Sequence, residues 1–214
     1  MPALAQEVLD VTEGQAGFRS LITGEREGTD AGAAAIAFAK ALAAAGRQVV
    51  LVDWSQNDAG IIPASPEAPA AGVSELLRGE VTFEDVIARL ADSEAHAINA
   101  GHDHDMKLGL EPDRVNLVLD ALDEAYDHIV VYAPHQVARD LFVAIQGRFD
   151  AGIAVHDARR GSSTNEGPNT FLGYQVADLM VLRYAPAPDG QAAAGLAPAR
   201  MNVTRGRNQP EAHI

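Results

Sequence analysis

The chain has 214 residues, with 30 Asp plus Glu against 16 Lys plus Arg and a formal net charge of -14. A chain of this length suits one domain and is large enough to bury a full core. The acidity repels phosphate backbones and anionic lipid surfaces, which argues against nucleic-acid binding, and the lack of Cys excludes a disulfide framework, thiol catalysis and zinc–thiolate sites.

The first residues, MPALAQEVLDVTEGQAG, carry neither a basic nor an apolar leader pattern. No run approaches the ~18 apolar residues of a membrane helix, so no direct membrane insertion is expected. Residues 1–16 read as a flexible polar segment, and the initiating Met reads as the start of a free-standing cytosolic chain. FRSLIT (18–23) is an expected buried strand, and 31–45 an Ala-, Leu-, Ile- and Phe-containing helix stopped by Gly46. QVVLVDW (48–54) is an unbroken β-branched run of the kind found in parallel sheets. A Pro-rich loop spans 61–72. VSELLRG (73–79) and TFEDVIARLA (82–91) read as short helices, the second with Thr82 and Asp85 in a capping arrangement. HAINAG (96–101) is an expected short strand, 114–126 an amphipathic helix, HIVVYAP (128–134) a buried strand, 137–149 a helix and AGIAVHD (151–157) a strand. Residues 159–170 read as a loop, 178–185 as a last strand, and 186–214 as a disordered tail. Strands alternating with helices predict one α/β domain over 17–185, three-layered, with a mostly parallel sheet and helices on both faces.

The stretch TGEREGTDAGAAAIAFAKALAAAG (23–46) has the layout of a phosphate-binding loop: strand, Gly-rich turn, helix. The side chains that such a loop uses are missing. Gly24, Gly28 and Gly32 form either a vestigial anion nest or simply a tight strand-to-helix turn. Asp30 fits an N-cap, and Asp53 either a leftover metal-side residue or a loop cap. GHDHD (101–105) places His102 and His104 near Asp103 and Asp105, but nothing elsewhere completes a metal-ligand set, so a solvated loop is the expectation. Trp54 and His135 fall at the carboxyl edge of the expected sheet, where α/β folds bind ligands. Trp54, the single Trp, is a candidate partner contact or the cover of a filled cleft. Arg159 and Arg160 read as a solvated loop pair.

Four blocks in order resemble one family: the loop and helix at 21–46, VVLVDW at 49–54, AGVSELLRGEVTFEDVI at 71–87 and LDEAYDHIVVYAPHQVARD at 122–140. Together they resemble the cytoplasmic P-loop domain of bacterial polysaccharide co-polymerases of the tyrosine-autokinase type, related to the MinD and ParA ATPases. The third block resembles that family's GLS-x-x-L-x-G stretch, which MinD and ParA lack. The resemblance covers roughly 18 to 157. It implies a P-loop NTPase-like fold, Mg–ATP as cofactor and a loop ending G-x-G-K-[ST]-[ST]. Here the helix register places Ala31 at the Lys with Gly32 and Ala33 at the hydroxyls, or, in a second register with Gly32 at the last Gly, Ala33 at the Lys and Ala34 at the hydroxyl. Neither register supplies a Lys to neutralise the β- and γ-phosphates or a hydroxyl to hold Mg²⁺. Tyr132 stands where the family has a metal-side Asp, and Ser55 stands at the second Asp of the family's D-x-D, of which Asp53 is kept. Glu25, Glu27 and Asp30 would repel a triphosphate by about 1 kcal/mol per charge pair at 4 Å in bulk water, against the single Arg26. No Tyr follows Tyr184, so the family's C-terminal autophosphorylation cluster is absent.

The resemblance with its emptied loop implies a pseudo-ATPase: no catalytic residue, no cofactor and no metal. Its partner would be the cytoplasmic ends of a membrane polysaccharide co-polymerase subunit, in exopolysaccharide or capsule biosynthesis and export. Localisation would be cytoplasmic, at the inner membrane through that partner. Domains of the family can form rings, so a homo-oligomer is open, although the E-x-x-R-x-x-R motif expected ahead of the first strand is absent. An active tyrosine autokinase or ATPase with a non-standard loop is an alternative, as is a MinD- or ParA-like positioning protein. Mg²⁺-dependent nucleotide affinity separates these from the first reading.

Overall fold

The computed structural model describes residues 1–12, 16–55, 60–62, 71–102, 111–145, 148–156, 180–184 and 204–205. Within these, the elements in chain order are α1 (Pro2–Val11), β1 (Phe18–Gly24), α2 (Gly32–Ala44), β2 (Val49–Asp53), α3 (Val73–Arg78), α4 (Phe83–Val86), β3 (Ile87–Arg89) and β4 (His96–Ile98). They continue with α5 (Pro112–Asp123), β5 (His128–Tyr132), α6 (His135–Ala144), β6 (Ala151–Val155), β7 (Met180–Tyr184) and β8 (Thr204–Arg205). The strands form one sheet in the order β3-β4-β2-β5-β1-β6-β7-β8. Pairings from β4 to β7 are all parallel, and β3 and β8 close the two edges antiparallel.

The alternation of side chains along each strand divides the core into two layers. Phe18, Ile22, Val49, Leu51, Val130, Tyr132, Ile153 and Val155 face α1 and α2, meeting Leu4, Val8, Phe38 and Leu42. Leu21, Val50, Val52, Ile129, Val131 and Ala154 face the other way, against Leu76 and Leu77 of α3, Val115, Leu119 and Leu122 of α5, and Leu141 and Phe142 of α6. The three-layer α/β architecture expected from the sequence is thus the one observed. Each of the larger apolar side chains contributes about 1.5–3 kcal/mol by its removal from water.

Three expectations are corrected. Residues 2–11, expected to be loose, form α1, with Pro2 in the first turn and Leu4, Ala5 and Val8 buried. Those three share one helical face, but they gain from it only because α2 lies opposite. Being apolar nearly all round, α2 needs cover on the side turned away from the sheet. The expected helix over 82–91 stops at Val86, and Ile87–Arg89 turns into an edge strand paired with His96–Ile98. The Thr82–Asp85 cap does form: Asp85 Oδ2 accepts the Thr82 N–H at 2.8 Å and its hydroxyl at 2.7 Å. The hairpin that follows closes with Leu90 N–H to Ala95 O at 2.8 Å and holds Asp92 at φ 55, a conformation that Asp tolerates better than most residues. At the far end, Thr204 and Arg205 of the expected disordered tail pair with β7; the rest of 186–214 lies outside the described residues.

Candidate functional site

The carboxyl edge of the parallel strands gathers the turn after β1, the end of β2 and the start of α6. β1 ends at Gly24, where the chain folds back so tightly that a Cβ would overlap the Thr29 carbonyl and side chain. Gly28 sits at φ 73, and the Thr29 N–H reaches Arg26 O at 3.1 Å. Both glycines are therefore required by the turn itself. Asp30 lies one residue before the N-cap position, Ala31, and its Oδ1 accepts the Gly32 N–H at 2.8 Å. Asp30 thus caps α2, from one residue earlier than an ordinary N-cap. The negative charge at this helix N-terminus comes from the chain's own carboxylate. Gly32 opens α2, and the Ile61 side chain covers it so closely that a Cβ there would overlap Ile61 Cγ2.

Asp53 is fully buried at the end of β2. Its Oδ1 accepts the Ser55 N–H at 2.9 Å and its Oδ2 the Ile61 N–H at 2.7 Å. Both oxygens are engaged by main chain, as for a loop cap. Tyr132 pairs with Asp53 across β2–β5 and is buried. Burial, with the Asp30 and Asp53 carboxylates nearby, pushes its hydroxyl up to about 12, so it stays neutral at physiological pH. Gly24, Gly32, Asp30, Asp53 and Tyr132 thus lie together at this edge.

Two histidines tie the turn to neighbouring strands. His135, in the first turn of α6, donates from Nδ1 to the Gly24 carbonyl at 2.9 Å, which fixes that tautomer. His156, just past β6, pairs through Nδ1 with Glu25, and the Glu25 N–H reaches Val155 O at 2.9 Å. The His135 bond ties the start of α6 to the end of β1. The His156–Glu25 pair has no sequence signal, because it joins positions 131 residues apart. The same holds for Ile61 on Gly32.

Trp54 is corrected as a candidate contact: it is wholly buried in the α5/α6-side core and offers no surface to a partner. Its Nε1 and the Ser55 hydroxyl have no hydrogen-bond partner among the described residues. The sheet face decides this: Trp54 continues the β2 alternation into the layer that Val52 occupies, not outward. His102 is placed by its N–H to Glu75 Oε1 at 3.1 Å, whereas 103–105 lie outside the described residues. Glu75, on the stretch that carries the family resemblance, also takes the Gly72 N–H at 2.8 Å. Burial pushes the Glu75 carboxyl up, but the amides of Gly72 and His102 and the Ser74 hydroxyl outweigh it and hold it below the usual range. Among the described residues no cluster of three or more His, Asp or Glu can hold a metal ion, and no helix is long and apolar enough to cross a membrane.

No family model and no curated protein sequence matches the chain. Solved structures do. The chimerical protein CapA2B2 superposes with a TM-score of 0.64 at 17% identity, over 85% of this chain and 82% of that one. The kinase domain of the Escherichia coli tyrosine kinase ETK gives 0.60 at 19% identity, over 72% of this chain and 61% of that domain. The VpsO kinase domain gives 0.60 at 21%, over 74% of this chain and 78% of that one. The chain therefore shares the three-layer α/β fold of these structures, two of which are kinase domains.

Proposed function

We propose that this protein is a non-catalytic member of that fold, a pseudo-ATPase that acts by binding rather than by phosphoryl transfer. One observation carries the reading: the turn that would cradle a triphosphate is filled by the chain itself. Asp30 occupies the Gly32 amide, both Asp53 oxygens are taken by main chain, and Ile61 covers Gly32. The residues present do not fit Mg–ATP. No Lys neutralises the phosphates, Ala31, Ala33 and Ala34 offer no hydroxyl, and Tyr132 cannot hold a metal through water as a carboxylate does. Phosphoryl transfer depends on positioning and charge neutralisation, and of the family's side chains for these only Asp53 remains, with both its oxygens taken by main chain.

With similarity to tyrosine kinase domains and the block resemblance to polysaccharide co-polymerases, the partner we propose is the cytoplasmic end of a membrane co-polymerase subunit. The setting is exopolysaccharide or capsule export. The protein takes no nucleotide or metal as cofactor and no nucleic acid as partner; it resides in the cytoplasm, reaches the membrane through its partner, and self-association is compatible with this role. The test is calorimetric titration of ADP and ATP, with and without Mg²⁺. No heat at millimolar nucleotide is expected. Micromolar, Mg²⁺-dependent binding would overturn the reading and restore the autokinase alternative.

A further inference from the structure

The contact that closes the β1–α2 turn comes from a distant part of the chain. Asp53 holds the Ile61 N–H through Oδ2, and Gly60, at φ 39, bends the main chain close beside that oxygen. The carboxylate is wholly buried, so its bonds to Ser55 and Ile61 act in a medium of low dielectric. Position 61 is thereby fixed, and its side chain lies on the Cα of Gly32 at the mouth of the turn. Ile61 packs with the α2-side core, and Tyr132 of the same core bears the imprint of Asp53 and Asp30.

We propose that Ile61 is a built-in plug, latched by Asp53, that covers the β1–α2 turn at the carboxyl edge of the sheet. Asp53 acts here as a positioning residue: the hydrogen bond to its Oδ2 orients the main chain that carries the plug. Nucleotide exclusion is then enforced by a built contact, over and above the loss of loop side chains. The inference deepens the pseudo-ATPase reading and rests on it for the meaning of the turn, though not for the contact itself.

Amide hydrogen exchange across Gly32 to Ala35 tests the plug in the wild type, Ile61→Ala, Asp53→Asn and, as control, Ile62→Ala. Ile61→Ala and Asp53→Asn are expected to speed exchange there roughly tenfold, equivalent to about 1.4 kcal/mol of lost closure. Ile62→Ala is expected to leave it within about threefold. A double-mutant cycle supplies the second readout: Gly32→Ala should destabilise the wild type and cost markedly less in the Ile61→Ala background, because its severest clash is with Ile61 Cγ2, while the milder approaches to the Cβ of residue 61 and to Asp30 Oδ1 remain. The cycle and Ile61→Ala stand even if Asp53→Asn fails to fold. Unchanged exchange in Ile61→Ala or in a folded Asp53→Asn, an equal effect of Ile62→Ala, or additivity in the cycle would overturn the plug. Any of these would leave the absence of nucleotide binding standing; Mg–ATP binding by the wild type would instead sink the functional reading and leave the exchange data to decide the contact.

Discussion

His128 should make the stability of this protein fall on mild acidification. It opens β5 only 1% exposed, against the Phe18 ring at a centroid distance of 5.7 Å. Neither ring nitrogen has a hydrogen-bond partner among the described residues. Burial, aided by nearby Arg47 and opposed by Asp127, pushes its pKa down from 6.5 to about 4. The unfolded chain therefore takes up a proton more readily than the folded one between those values. Stability is whole above about pH 6.5 and is lost as pH falls toward 4. At 1.36 kcal/mol per unit the ceiling is about 3 kcal/mol, and linkage puts about 2 kcal/mol of that loss between pH 8 and pH 5. Urea melts of wild type and His128→Leu at pH 8 and pH 5 measure it. At pH 8 the two should lie within about 1 kcal/mol, since an unpaired buried imidazole gives up little when replaced by an apolar group of similar size. At pH 5 the variant should be the more stable by about 2 kcal/mol. Equal losses on acidification in both proteins would refute the reasoning.

Arg19→Met should cost about 2 kcal/mol in chemical denaturation. It removes a guanidinium, 6% exposed in its side chain, that bridges Asp120 and Asp123, and the half-exposure of Asp120 keeps the cost below that of a fully enclosed pair. Gly79→Ala should cost about 1–2 kcal/mol from backbone strain alone, because φ is 72 and a Cβ would meet nothing. Gly101→Ala should cost more, because at φ 90 its Cβ also collides with Glu75 and Ser74; the difference in urea midpoint checks both. In a spectrophotometric titration Tyr132 should ionise near pH 12, a step that Tyr132→Phe deletes.

Layer order and most strands were legible in the sequence because they rest on local signals. The apolar, Val- and Ile-rich runs within 49–53 and 128–132 fit strands covered on both faces. The emptied loop was equally legible, since Lys, hydroxyl and Asp are either present at fixed offsets or absent. What the sequence by itself determined is therefore the strands, the strand-to-helix turn and the absence of a Lys and a hydroxyl at the loop's offsets. Tertiary structure alone decided what fills the space. Residues 2–11 became a helix because an apolar α2 needed cover, and 87–89 became an edge strand because β4 offered unpaired main chain. Trp54 turned inward, and Ile61 came to rest on Gly32. Apart from the local β3–β4 hairpin, each of these depends on a neighbour well removed in the chain, and contacts of that range leave no mark on local propensity.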